Sequence, residues 1–195
     1  MNKISVISLW VGIIASIVTI AGFILDVNTD WNPFDDKLKN SNDFLGIWQS
    51  KYSYPVANGT TTVQGTTEYF KNGKYNVIGV VTIDYAKAGS DPIKIEYDMD
   101  GTGLWNHDDK SLYITLTNVK SHLRSVYMDN KKYSLNELSA HGSIPKLEDI
   151  MPDNISEQYA IINKEGNHIT LEADDPMGNT FLIDAYKVDK KFQRQ

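Results

Sequence analysis

The chain contains no cysteine. That absence removes disulfides, thiolate metal ligands and cysteine nucleophiles together, rules out a lipid-modified cysteine as an anchor, and fits a reducing compartment. Basic charge is also scarce: 19 Lys and Arg against 25 Asp and Glu give a net charge of −6 over 195 residues. Lys3 is the one charged side chain in the first 25 positions, so residues 26–195 carry 18 basic against 25 acidic groups, a net −7. Binding to long nucleic acid needs a basic footprint that this balance does not supply. The familiar catalytic signatures are missing as well. There is no Gly-rich loop ending in Lys-Ser/Thr, no His-Glu-x-x-His and no Gly-x-Ser-x-Gly. His107, His122, His141 and His168 are dispersed without ligand spacing. The run from Asp98 through Asp100 to Gly103 has the look of a calcium loop but lacks the remaining ligands and falls in an alternating strand. No catalytic residue, metal site or cofactor is therefore assigned, and a non-enzymatic protein is expected.

Against these absences stands one long uncharged run, residues 4–25. As a helix it is about 33 Å long, enough to cross a hydrocarbon core of about 30 Å. Its small residues Ser5, Ser8, Gly12, Ala15, Thr19 and Gly22 fall at spacings of 3, 4, 3, 4 and 3, one seam of a heptad pattern. In lipid such a seam lets helix backbones approach closely, so the segment reads as a single transmembrane helix that self-associates into a homo-oligomer. A secretory signal peptide is the other reading, with Thr19-Ile20-Ala21 as a small-x-small cleavage site, although the run exceeds the usual apolar region of about 7 to 15 residues. Residues 26–43, rich in Asn and Asp and broken by Asn32-Pro33, read as a juxtamembrane linker whose Trp31 and Phe34 suit the membrane interface.

From residue 44 to 195 the apolar period becomes two. Ile93, Ile95, Tyr97 and Met99 alternate with Lys94, Glu96, Asp98 and Asp100, and Tyr75, Val77, Gly79, Val81 and Ile83 repeat the pattern. Strands are predicted at 45–54, 60–71, 74–85, 92–102, 111–119, 121–128, 157–163, 168–173 and 180–188. Turn residues separate them: Asn58-Gly59, Asn72-Gly73 (a type I′ hairpin signal), 106–109, Glu165-Gly166-Asn167 and 175–179. Ser134 and Glu137 have capping-box spacing for a short helix, and 147–151 suits another turn of helix, together an excursion across one barrel end. The expected fold is all-β: a compact antiparallel meander barrel of about eight strands, lipocalin-like, after one N-terminal transmembrane helix.

One basic constellation stands out in this acidic domain. Lys120, His122 and Arg124 share a face of a predicted strand, and Tyr127 follows; Arg offers bidentate contacts to phosphate and the ring a face for a base. These four are the candidate ligand residues.

Gly46-Ile47-Trp48 at the first strand resembles the Gly-x-Trp opening of lipocalin-like barrels, in which the Trp closes the base. With the membrane segment, the short linker and the Gly65-Thr66 and Asn72-Gly73 strand-turn pattern, the whole chain resembles the two-transmembrane, β-strand-rich effectors associated with CD-NTases in bacterial cyclic-oligonucleotide antiphage signalling. The resemblance implies a barrel that binds a cyclic nucleotide in the cytoplasm, oligomerises, and gathers helices that disrupt the inner membrane and kill the cell. The chain departs from the family in having one span instead of two. Orientation is pulled two ways: cytoplasmic sensing requires the barrel inside, whereas Lys3 before the helix and Asp26 and Asp30 after it lean outward, with Lys37 and Lys39 opposing. The alternative is an extracytoplasmic lipocalin-like binding or envelope-assembly module held by a signal anchor.

Overall fold

A computed structural model describes residues 43–86, 91–129, 131–139, 145–151 and 154–194. The predicted span, its six seam residues and nearly all of the linker lie outside the described residues. Among the described residues no helix is long and apolar enough to cross a membrane.

Nine strands form one antiparallel sheet: β1 (Gly46–Val56), β2 (Gly59–Tyr69), β3 (Lys74–Tyr85), β4 (Ile93–His107), β5 (Ser111–Met128), β6 (Lys131–Tyr133), β7 (Ile155–Glu165), β8 (His168–Asp174) and β9 (Thr180–Val188). Each of β1, β2, β3, β4, β5, β7, β8 and β9 pairs with the next, and β9 returns to β1, so eight strands close a barrel-like ring. β6 is a short addition to the far end of β5. Closure pairs these strands on both sides over most of their length, which protects edges that a strand-rich domain must otherwise cover. Two short helices, α1 (Leu135–Ser139) and α2 (Leu147–Ile150), interrupt the strands between β6 and β7.

Alternation builds the interior. On β1 the odd-numbered Gln49, Lys51, Ser53 and Pro55 are exposed, while Trp48, Ser50, Tyr52, Tyr54 and Val56 turn inward. Ile93, Ile95 and Tyr97 are buried as their alternation requires. The capping box also forms: the Ser134 amide and hydroxyl both donate to Glu137, and the Glu137 amide donates to the Ser134 hydroxyl. The Asn72-Gly73 hairpin exists with a wider turn than expected. Gly73 alone of the pair has a positive φ, 73°, and the Phe70 and Gly73 amides donate to the Lys74 and Phe70 carbonyls. A type I′ turn needs positive φ at both central residues, so this is a longer loop ending in a left-handed glycine.

The main departure is in β5, a single strand of 18 residues where two were expected. Its pairing with β4 skips Thr117 and Arg124, one extra residue at each of two bulges. Each bulge resets the inward and outward phase, so an unbroken strand reads as two. At the first, Gly103 faces Leu116 so closely that a Cβ would collide with the Thr115 carbonyl oxygen.

Two apolar clusters close the ring. The base, where β1 begins, packs Phe44, Trp48, Tyr75, Trp105 and Leu112 with residues of β8 and β9. Trp48 Nε1 donates to the Phe44 carbonyl at 2.7 Å, Trp105 Nε1 donates to the Phe70 carbonyl at 3.0 Å, and Lys187 Nζ lies 5.6 Å from the centre of the Trp48 ring. The far end packs Tyr85, Ile93, Ile95, Tyr97 and Val126 beneath Leu138 and Leu147 from the two helices.

Candidate functional site

Between the clusters lies an internal cavity of about 240 Å³. β1 contributes Ser50, Tyr52 and Tyr54; β2 and β3 contribute the paired Gly65 and Gly79, which put backbone instead of side chain on the wall. Leu147 and Met151 roof it, and β7 supplies Glu157 and Tyr159. The lining is mostly apolar and aromatic, and among the described residues it contains no Lys, Arg or His. A concave apolar space with a few convergent polar groups is the usual form of a small-molecule site.

Among the described residues, Glu157 is the one carboxyl group on that wall. It alternates inward with Ile155 and Tyr159 along β7, opposite Ile114 of β5. The Tyr159 hydroxyl donates to Glu157 Oε2. Burial pushes the Glu157 carboxyl above the usual glutamate range, and the Tyr159 bond offsets only part of that. Burial raises the Tyr52, Tyr54, Tyr75 and Tyr159 hydroxyls too, and the nearby Glu157 charge raises them further. The tyrosines therefore stay neutral at any physiological pH, as a ring of hydroxyl donors and π faces around one acid.

The ring is incompletely zipped beside this cavity. β1 pairs with β9 through residues 47–50 only, although β1 continues to Val56 and β9 begins at Thr180. β8 pairs with β7 through residues 168–172, so residues 155–159 of β7 pair with β5 alone. The distal half of the β8–β9 hairpin is thus held on neither side by strand pairing, only by its own ladder. Beneath this flap Phe181 stacks on Tyr54 at 5.1 Å and on Tyr52 at 5.7 Å between ring centres. Its tip is stiffened by buried Asp175, whose Oδ1 accepts from the Met177 and Asn179 amides at 2.8 and 2.9 Å. Burial works to raise that carboxyl, but the amide donors outweigh it and hold it below the usual range.

The four residues expected to hold a ligand stand elsewhere. Lys120 and His122 are exposed on the outer face of β5, across from Asp100 and Asp98 of β4. Arg124, the extra residue of the second bulge, places Nη1 3.7 Å from Asp98 Oδ1. Arg194 arrives at the same patch, with Nη2 2.7 Å from Asp100 Oδ1. Tyr127 lies farther along, opposite Lys94, with Lys132 Nζ 5.9 Å from its ring centre. The structure brings Lys120, His122 and Arg124 to one outer wall, shares that wall with two aspartates, and places none of the four on the cavity lining. Asp98 and Asp100 serve the arginines, and among the described residues no group of three His, Asp or Glu side chains is placed to hold a metal ion.

Sequence reasoning missed Glu157 and its partner Tyr159. The signal was present: Ile155, Glu157, Tyr159 and Ile161 share one parity, which puts a carboxyl on an apolar face. Comparison with known proteins found no matching family model and no curated protein similar in sequence.

Proposed function

We propose that this chain is a membrane-tethered, ligand-gated effector of antiphage defence, non-enzymatic, in which the barrel is the receptor and the N-terminal helix the output. The observation that supports it most is the internal aromatic cavity beside an unzipped part of the ring. Such a space suits a small molecule, and it follows an apolar segment as long as a bilayer is thick. The ligand in this reading is a cyclic nucleotide. The Tyr52–Tyr54–Phe181 stack offers a face for a base, worth about 1 to 3 kcal/mol per stacked base. The phosphates stay in solvent, because the described lining holds no cation to receive them. Assembly of liganded barrels then raises the effective concentration of the small-residue helices at the inner membrane until the bilayer fails.

The test is dye release from vesicles carrying the full-length protein, challenged with a panel of cyclic di- and trinucleotides. Release is expected with at least one of them and none without ligand. Intact vesicles across the whole panel, at concentrations up to millimolar, would overturn the reading. The mostly apolar lining favours a second reading, a lipocalin-like module that carries an apolar ligand outside the cytoplasm and uses the helix only as a tether. That protein would bind an apolar fluorescent probe and leave vesicles intact.

A further inference from the structure

The ionisable chemistry of the cavity wall is one-sided. Among the described residues, a phosphate or carboxylate placed inside would meet Glu157 and no cation, and burying an unpaired charge is among the costliest arrangements a protein can adopt. Glu157 itself has a single hydrogen-bond donor among the described residues, the Tyr159 hydroxyl on Oε2, although a carboxyl group accepts several. Glu157 lines the cavity, so its remaining acceptor capacity is open to an occupant. Around this acid Tyr52, Tyr54, Tyr75 and Tyr159 lie close enough to feel its charge, and their negative π faces favour a cation or a polarised N–H over an anion.

We propose that Glu157 and its tyrosine ring form a selectivity site for nitrogen: the cavity takes a ligand whose buried end carries paired N–H donors on an apolar or aromatic body, and it excludes acids. A protonated alkylamine on an aromatic body and the N1–H and N2–H edge of guanine share that chemistry. The inference rests on the cavity being the ligand site, and it does not depend on which of those two sources supplies the donors. It also orients a cyclic nucleotide, base inward and phosphate outward, and ranks guanine above adenine.

The experiment compares probes of matched shape and opposite charge on the full-length protein in detergent or nanodiscs. Tryptamine and indole-3-acetate share one ring system; tryptamine is expected to bind at least about tenfold more tightly, and Glu157→Gln to erase most of that ratio. Equal affinities in the wild type, or a ratio unchanged in E157Q, would overturn the proposal. Tyr159→Phe, which removes the internal donor and keeps the acid, is expected to preserve the preference for the amine. Wild-type selectivity alone decides the matter if E157Q does not fold. Cyclic di-GMP and cyclic di-AMP form the second arm. Glu157-dependent binding of tryptamine with no response to either dinucleotide sustains the selectivity site and removes the cyclic-nucleotide reading. Cyclic di-AMP binding more tightly than cyclic di-GMP, with tryptamine inert, does the reverse.

Discussion

Glu157 ties the function of the cavity to the stability of the fold. Burial raises its carboxyl in the folded state above its value in the unfolded chain, so the folded state holds the proton to higher pH. The stability that comes with the protonated form is fully present below the ordinary glutamate value and is lost as pH rises through the folded one. Glu157→Gln, which cannot ionise, is therefore expected to melt above the wild type at pH 7 and level with it near pH 4. Each unit by which the carboxyl is raised corresponds to about 1.4 kcal/mol, and each kcal/mol to about 2 to 4 °C for a domain of this size. Thermal melts across pH 4 to 8 measure it, and a constant difference between the two proteins would refute it. Asp175 has the opposite sign: its carboxyl is held low, so the flap tip loses support as pH falls through that depressed value.

At the scale of elements, the roof over the cavity depends on one serine. The Leu147 amide donates to Ser121 Oγ at 2.8 Å, while the Ser121 amide donates to Glu148 Oε2 at 2.9 Å and its hydroxyl donates to the same oxygen. The Tyr97 hydroxyl adds a bond to the Pro145 carbonyl at 3.0 Å. Ser121→Ala leaves a buried amide without its acceptor and is expected to destabilise the protein by about 1 to 3 kcal/mol. Amide hydrogen exchange should quicken at 147–151 more than in the barrel strands; uniform quickening would mean that Ser121 supports the whole ring and not the roof. The same serine lies in the stretch where sequence and structure part. Simple alternation reads β3 and the first part of β4 correctly, and local capping chemistry reads α1, because each depends on neighbours in the chain. β5 depends on its partner: Thr117 and Arg124 bulge where β4 demands an extra residue, and nothing within β5 announces it. The site was hidden for a related reason. Glu157 looks like any strand carboxylate until ring closure decides that its parity faces inward, and the tyrosines come from strands far apart in sequence. The basic pattern of Lys120, His122 and Arg124 likewise carries no information about Asp98 waiting across the strand pair.

For the whole molecule, the base is the end at which the chain arrives from residues 1–42, since β1 starts at Gly46 and Trp48 is packed there. The roof and the flap tip stand at the opposite end. In the effector reading, sensing and output are then separate, and they separate in mutants. Gly12→Leu with Gly22→Leu closes the small-residue seam and is expected to leave ligand affinity and barrel assembly unchanged while abolishing dye release from vesicles. Undiminished release would remove the seam from the mechanism.

The unzipped β8–β9 flap carries a kinetic consequence. Strands 1 and 2 are joined through eleven residue pairs, but strands 1 and 9 through four. Opening at that seam breaks little of the ladder, so it sits at the low end of the free energies for local unfolding. In the ligand-gated reading, an occupant of the cavity leaves as this seam opens, while the β1–β4 meander stays paired. In that reading residence time follows the opening of the β1–β9 seam and not the unfolding of the whole barrel.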